Sequence, residues 1–180
     1  KLYRSASVGV DFKDIKILQD PWLTDGEYYG SWFHYPPFNL KKNLRELREY
    51  EYVYVSHIHP DHCSLDTIKF LNKKTKFIIL SYHSKFLKKK IQNFGFDVIE
   101  LDHGQTYSLG NKKKITIYAA DACDPQLCYK FLGCANFKTK KSNHIDSLAV
   151  IEKKNYKILN LNDCPYQLAK KTINLVKKKH

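Results

Sequence analysis

Methionine is absent from this chain of 180 residues, arginine is nearly so, and no long apolar run occurs anywhere in it. The missing methionine extends to position 1, where Lys1 stands, and this leads to the expectation of a trimmed or partial chain. Every hydrophobic stretch falls short of the roughly 18–20 residues that a membrane span requires. The start Lys1-Leu2-Tyr3-Arg4 also lacks the charged-then-apolar order of a secretion signal. A cytosolic protein with no membrane partner is the default expectation. Glycine and proline number only 7 and 6, and 43% of the residues are hydrophobic, which excludes collagen-like, low-complexity and disordered chains. The 5 cysteines form no evenly spaced, paired framework, so free thiols are expected rather than disulfides. There is no GxSxG elbow, no phosphate loop and no dinucleotide fingerprint, which leaves serine nucleophiles and cofactor-driven hydride transfer without support.

What is abundant is lysine. Lys and Arg together number 31 against 18 Asp and Glu, a formal net charge of +13. Only Arg4, Arg45 and Arg48 are arginine, whereas nucleic-acid surfaces favour the bidentate guanidinium. The runs Lys88–Lys90, Lys112–Lys114 and Lys177–Lys179 fall near helix ends and turns, where a solvated face is the simplest reading. A nucleic-acid partner is therefore not expected. Attraction of an acidic small-molecule substrate remains open.

One domain spanning residues 1–180 suits the length. Short β-branched runs alternate with amphipathic ones, the pattern of a layered α/β fold. Ser7 to Phe12 and Ile15 to Leu18 read as a hairpin, Tyr52 to Ser56, Lys76 to Leu80 and Val98 to Leu101 as strands. Leu40 to Arg48, Ser64 to Leu71 and Ser84 to Phe94 read as helices. Gln105 to Leu109, Lys114 to Ala119, Ser147 to Glu152 and Tyr156 to Leu161 read as further strands, and Gln167 to Val176 as a final helix. Asp20 to Phe38 is an aromatic loop; aromatics such as Trp22, Trp32, Phe33 and Tyr35 belong more often to core than to the roof of a cleft. Cys123, Cys128 and Cys134 lie in a long irregular stretch, Asp121 to Asn143, without the CxxC spacing of a structural zinc site.

The strongest signal follows the strand at Tyr52 to Ser56. His57-Ile58-His59-Pro60-Asp61-His62 packs three imidazoles and a carboxylate into six residues. With this chain's own residue frequencies the pattern HxHxDH arises by chance about once in a thousand such chains. A two-residue step at a strand end puts His57 and His59 on one side, within reach of one metal, and the turn after Pro60 can aim Asp61 and His62 at a second position. Two neighbouring cations are the arrangement that both activates a water and clamps a leaving oxygen.

The HxHxDH run resembles the hallmark of the metallo-β-lactamase superfamily. Asp20, in Leu18-Gln19-Asp20-Pro21-Trp22-Leu23, resembles that superfamily's acidic residue after an early strand, and Asp163, in Asn160-Leu161-Asn162-Asp163-Cys164, its later strand-end aspartate. Together with Pro36-Pro37 and Val55-Ser56, these segments look most like the metallo-β-lactamase-like domain of the CMP-N-acetylneuraminate hydroxylases and their bacterial relatives. The resemblance implies an αβ/βα sandwich, two β-sheets flanked by helices. It also implies one or two divalent metal ions, zinc first and iron as the alternative. His57, His59 and a third histidine would hold one ion, Asp61 and His62 the second, and Asp163 would bridge both. His144 is chosen as the third histidine because it immediately precedes a strand, a plain loop residue being the competing reading. Asp20 would orient the loop that carries the ligands. The superfamily's last histidine ligand lies well after the bridging aspartate; only His180 follows here, in a poor position for the role. Either the C-terminal part of the fold is truncated, or the second site is incomplete.

Two activities follow as expectations. The first is a metal-dependent hydrolase acting on an ester, amide or phosphoester, with Asp163 positioning the attacking hydroxide and Asp61 sharing its proton. The second is an iron-dependent hydroxylase acting on a nucleotide-linked amino sugar, with electrons from a separate Rieske partner, since this chain lacks the Cys-His pairs of such a centre. A nucleic-acid-processing protein has only the charge in its favour, and a non-catalytic domain that keeps a metal for structure is the remaining reading.

Overall fold

A computed structural model of the chain describes residues 1–82, 84–120, 146–164 and 166–180. His144, Cys123, Cys128, Cys134 and His83 lie outside the described residues. The fold is mixed α/β, and the chain divides into two compact units, Lys1–Ile79 with Phe86–Glu100, and Leu80–Lys85 with Leu101–His180. Among the described residues no helix is long and apolar enough to cross a membrane.

The first unit is built on a sheet in which β1 (Leu2–Arg4), β2 (Ser7–Asp11), β3 (Lys16–Gln19), β4 (Tyr52–Val55), β5 (Lys76–Leu80) and β6 (Asp97–Leu101) lie side by side in chain order. β1, β2 and β3 pair antiparallel, as hairpin-length links require. β3, β4 and β5 pair parallel, because each step between them passes through a helix-bearing crossover. β4 carries the buried run Val53-Tyr54-Val55, the near-continuous apolar signature of a central parallel strand. The β3–β4 crossover contains the four-residue α1 (Glu27–Gly30) and α2 (Leu40–Leu47), which starts where the Asn39 side chain accepts the Lys42 N–H.

The β4–β5 crossover contains α3 (Leu65–Ile68), capped by Ser64, whose hydroxyl accepts the Thr67 N–H. α3 is shorter than the pattern up to Leu71 suggests, because Phe70 and Leu71 bond three residues back, to Thr67 and Ile68, and tighten into turns. α4 (Phe86–Gln92) ends before Gly95, whose φ of 79° lets the chain reverse. The amino-terminal strand β1 carries no alternating pattern of its own. It forms because Tyr3 is buried against Tyr50, their hydroxyls 2.8 Å apart. Gly9 is confined by the same pair, since a Cβ there would stand 2.0 Å from the Tyr50 hydroxyl.

In the second unit the sheet order is β10-β9-β8-β7, all antiparallel, from β7 (Gln105–Gly110), β8 (Lys113–Ala119), β9 (Ser147–Lys153) and β10 (Tyr156–Asn160). Helix α5 (Tyr166–Lys179) lays Ala169, Ile173 and Val176, spaced by four and three, onto Tyr118, Leu148 and Val150. Burying Ile173 and Val176 there is worth about 1.5–3 kcal/mol each. On the same face of β9, two residues beyond Val150, Glu152 is buried beside His180 (3.1 Å) and Lys114 (3.2 Å), the latter its cross-strand partner. His180 also reaches the Tyr118 hydroxyl at 2.6 Å, so its ring is engaged within this unit.

Burial works to raise the Glu152 carboxyl, but Lys114 and His180 hold it below the usual carboxylate range. A carboxyl depressed on folding contributes stability that is present above its unfolded value, about 4.3, and lost as pH falls through the folded value. Glu152→Gln should therefore lower the urea midpoint at pH 6 and converge on wild type near pH 3, as read from denaturation curves across that range. A constant difference would show that the charge plays no part.

Candidate metal centre

The centre begins with the polar ends of two parallel strands. Asp20 directly follows β3, and its N–H donates to the Tyr54 carbonyl at 2.9 Å, extending the β3–β4 ladder by one residue. There the backbone turns to φ 45°, a left-handed conformation that aspartate tolerates better than most side chains. The turn is pinned by Ser7, whose hydroxyl donates to the Asp20 carbonyl (2.7 Å) and lies 2.8 Å from the Trp22 N–H. Asp20 is fully buried as a result. Its Oδ1 accepts the Ser56 N–H at 2.8 Å, just past the end of β4.

The second oxygen, Oδ2, faces His62 Nδ1 at 3.3 Å and makes no standard hydrogen bond. An unmatched buried carboxylate oxygen is costly, and the His62 ring beside it is set with Nδ1 toward that oxygen and Nε2 toward Asp61. Burial pushes the Asp20 carboxyl up, while the His62 ring and the Ser56 N–H pull against it.

Ser56 prepares the next ring. Its hydroxyl lies 2.9 Å from His57 Nδ1, which directs Nε2 of this fully buried imidazole away from the sheet. Nε2 then stands 2.9 Å from Nδ1 of His59. The chain turns at once, with the His62 and Cys63 N–H groups both donating to the His59 carbonyl at 3.0 Å. That turn brings Asp61 Oδ2 to 3.5 Å from His62 Nε2. Two ligand atoms bound tetrahedrally at metal distances of about 2.0–2.2 Å are about 3.3–3.6 Å apart. The Asp61–His62 pair, at 3.5 Å, lies in that range, and the His57–His59 pair, at 2.9 Å, lies below it. Nitrogens and carboxylate oxygens brought this close together, with the far sides of the imidazoles held by Ser56 and Asp20, fit a divalent cation. Next in the chain, Cys63 is fully buried, and burial pushes its thiol up to about 12.

Asp163 lies in the second unit, exposed in the turn between β10 and α5. Asn162 shapes that turn with φ 50°, its side-chain amide donating to the Ser147 carbonyl and its N–H to Asn160 Oδ1.

Two residues of the centre carry no signal of their own in the sequence. Ser56 can be read only as a strand end. Tyr28, whose hydroxyl donates to Asp61 Oδ1 at 2.7 Å, is one aromatic among many. The aromatic loop also departs from the expectation of core. Trp22 and His34 are buried against each other, ring centroids 4.1 Å apart, but Trp32 (51%), Phe33 (64%) and Tyr35 (96%) are exposed. The β3–β4 crossover is too long for all its side chains to reach the sheet.

The fold has a close counterpart among solved structures. A "possible metal-dependent hydrolase" from Veillonella parvula superposes with a TM-score of 0.70 at 15% identity, covering 96% of this chain and 65% of that one. In sequence, a "Putative Rieske 2Fe-2S iron-sulfur protein" from Mycolicibacterium smegmatis is 32% identical over 81 residues, 44% of this chain. The cytidine monophosphate-N-acetylneuraminic acid hydroxylase of Cricetulus griseus is 24% identical over 161 residues, 88% of this chain. These matches span only 15% and 26% of the two relatives' lengths. No family model matches the chain.

Asp20→Asn keeps the size of the side chain and removes the charge facing His62. It should weaken metal binding about 10- to 100-fold, measured by competition with a chromophoric chelator. Unchanged affinity in the folded variant would remove Asp20 from the centre.

Proposed function

Because the chain has the metallo-β-lactamase fold, we propose that it is a metal-dependent hydrolase whose centre is His57, His59, Asp61 and His62, completed by Asp163. The observation that carries the reading is the convergence of His57 Nε2 and His59 Nδ1, 2.9 Å apart, with the rear nitrogen of His57 held by Ser56. His57 and His59 would hold one ion with those two nitrogens, and Asp61 and His62 a second. Asp163 takes the bridging position by resemblance, and His144 the third histidine position on the first ion. Residues 1–180 then form one metallo-β-lactamase-like domain.

Bound metal supplies a water ionised near pH 7 and polarises the bond to be cleaved. The protein's own groups do the rest. Asp163 orients the attacking oxygen, Asp61 shares its proton, and the buried Asp20 and Ser56 hold the imidazoles in place. An ester, amide or phosphoester is the substrate class, and the charge of +13 favours an acidic one, such as a sugar nucleotide. Zinc suits this chemistry.

The likeness to the hydroxylase over 88% of the chain supports a second reading, with iron in the same residues. One oxygen atom of O2 would enter a C–H bond of a nucleotide-linked amino sugar and the other would leave as water. Two electrons and two protons are needed, the electrons passed singly from a Rieske partner.

Metal analysis and a substrate panel separate the two. Zinc-loaded protein should hydrolyse at least one panel substrate without oxygen, and His59→Ala and Asp163→Ala should abolish turnover while keeping the wild-type circular dichroism spectrum. Full activity in His59→Ala sinks the assignment, and an oxygen-dependent product from iron-loaded protein transfers it to the hydroxylase reading.

A further inference from the structure

Asp61 has two carboxylate oxygens, and they face different partners. Oδ2 stands 3.5 Å from His62 Nε2, and Oδ1 accepts the Tyr28 hydroxyl at 2.7 Å. The tyrosine reaches that oxygen through an unusual piece of backbone. Tyr28 (φ 51°) and Tyr29 (φ 59°) are consecutive left-handed residues between Gly26 (φ 90°) and Gly30 (φ 82°). For non-glycine residues that conformation is sterically unfavourable, because Cβ crowds the following carbonyl oxygen. The segment is closed on itself by the Gly26 N–H donating to the Trp32 carbonyl and the Trp32 N–H to the Glu27 carbonyl, both at 3.1 Å. Tyr29 turns fully outward, whereas Tyr28 is half-buried with its ring against Trp32, centroids 4.7 Å apart.

We propose that Tyr28 is a positioning residue for the second metal position: its hydroxyl occupies Oδ1 of Asp61 and reserves Oδ2 for the ion shared with His62. A carboxylate free to rotate presents either oxygen, or both, and gives no fixed ligand direction. With one oxygen engaged by an O–H donor, Asp61 becomes a one-oxygen ligand whose bare atom points where His62 Nε2 points. Asp20 does the corresponding work on His62 from the other side. The effect falls on the Asp61–His62 pair, because the Tyr28 hydroxyl bonds Asp61, whereas the rear nitrogen of His57 is held by Ser56. This inference rests on the two-position metal centre proposed above.

The test is a Co(II) titration of the metal-free wild type and of Tyr28→Phe, followed by the visible d–d absorption of the bound cobalt. The variant keeps the ring on Trp32 and removes only the donor. Wild type should bind two equivalents. In Tyr28→Phe the second should bind about 10- to 100-fold more weakly, with the first unchanged and the metal-free melting temperature at the wild-type value. A merely structural tether would lower the melting temperature and leave the two equivalents alike, which overturns the inference. So does a variant that binds both equivalents as wild type does. A wild type that takes no second equivalent overturns the two-position reading itself, and the inference with it.

Discussion

The buried carboxylate of Asp20 is the constraint on which the centre depends. It sits where two parallel strands end together and ties the end of one to the start of the ligand loop on the other. One oxygen takes the Ser56 N–H and the other faces His62. A carboxylate in that position has few ways to be satisfied. The loop presents a backbone donor to one oxygen and sets the His62 ring beside the other, and this fixes the direction in which that ring points. Ser7 in turn fixes Asp20, through its carbonyl and the Trp22 amide. The centre is thus held from the interior of the sheet outward.

Parallel pairing explains why the centre is where it is. Strands β3 and β4 point the same way, so their carboxyl ends and the loops that follow meet at one edge. That edge is the usual ligand position of open α/β sheets, because side chains from successive crossovers converge there without disturbing the ladder. Tyr28 and Trp22 come from one crossover, His57 to His62 from the next, and the cap of α3 bolts the two together. The Thr67 hydroxyl takes the Leu23 N–H and lies 3.1 Å from that of Thr24.

The second unit is stabilised differently. Its central strand β9 is buried along nearly its whole length and carries one charged residue, Glu152, into that environment. The cost is offset by Lys114 across the ladder and by the His180 ring at the end of α5. His180, the last histidine of the sequence, is committed to that pair and to Tyr118.

Most strands and helices could be read from the sequence because each has a local cause: β-branched runs, a four-and-three apolar spacing, a capping serine or asparagine. So could the run His57 to His62, whose spacing is itself a geometric statement about a strand end. β1 could not, since its one buried side chain, Tyr3, packs on Tyr50, 47 residues away in the chain. Nor could the division of the aromatic loop into a buried Trp22 and an exposed rim, which depends on how far the crossover stands off the sheet. Ser56 and Tyr28 escaped for a related reason: what they touch is decided by backbone direction at strand ends and in left-handed turns, not by residue type. The sequence by itself determined the fold class and the metal-competent donors. Tertiary structure decided which way each imidazole and carboxylate is turned, because that follows from the hydrogen bonds made behind it.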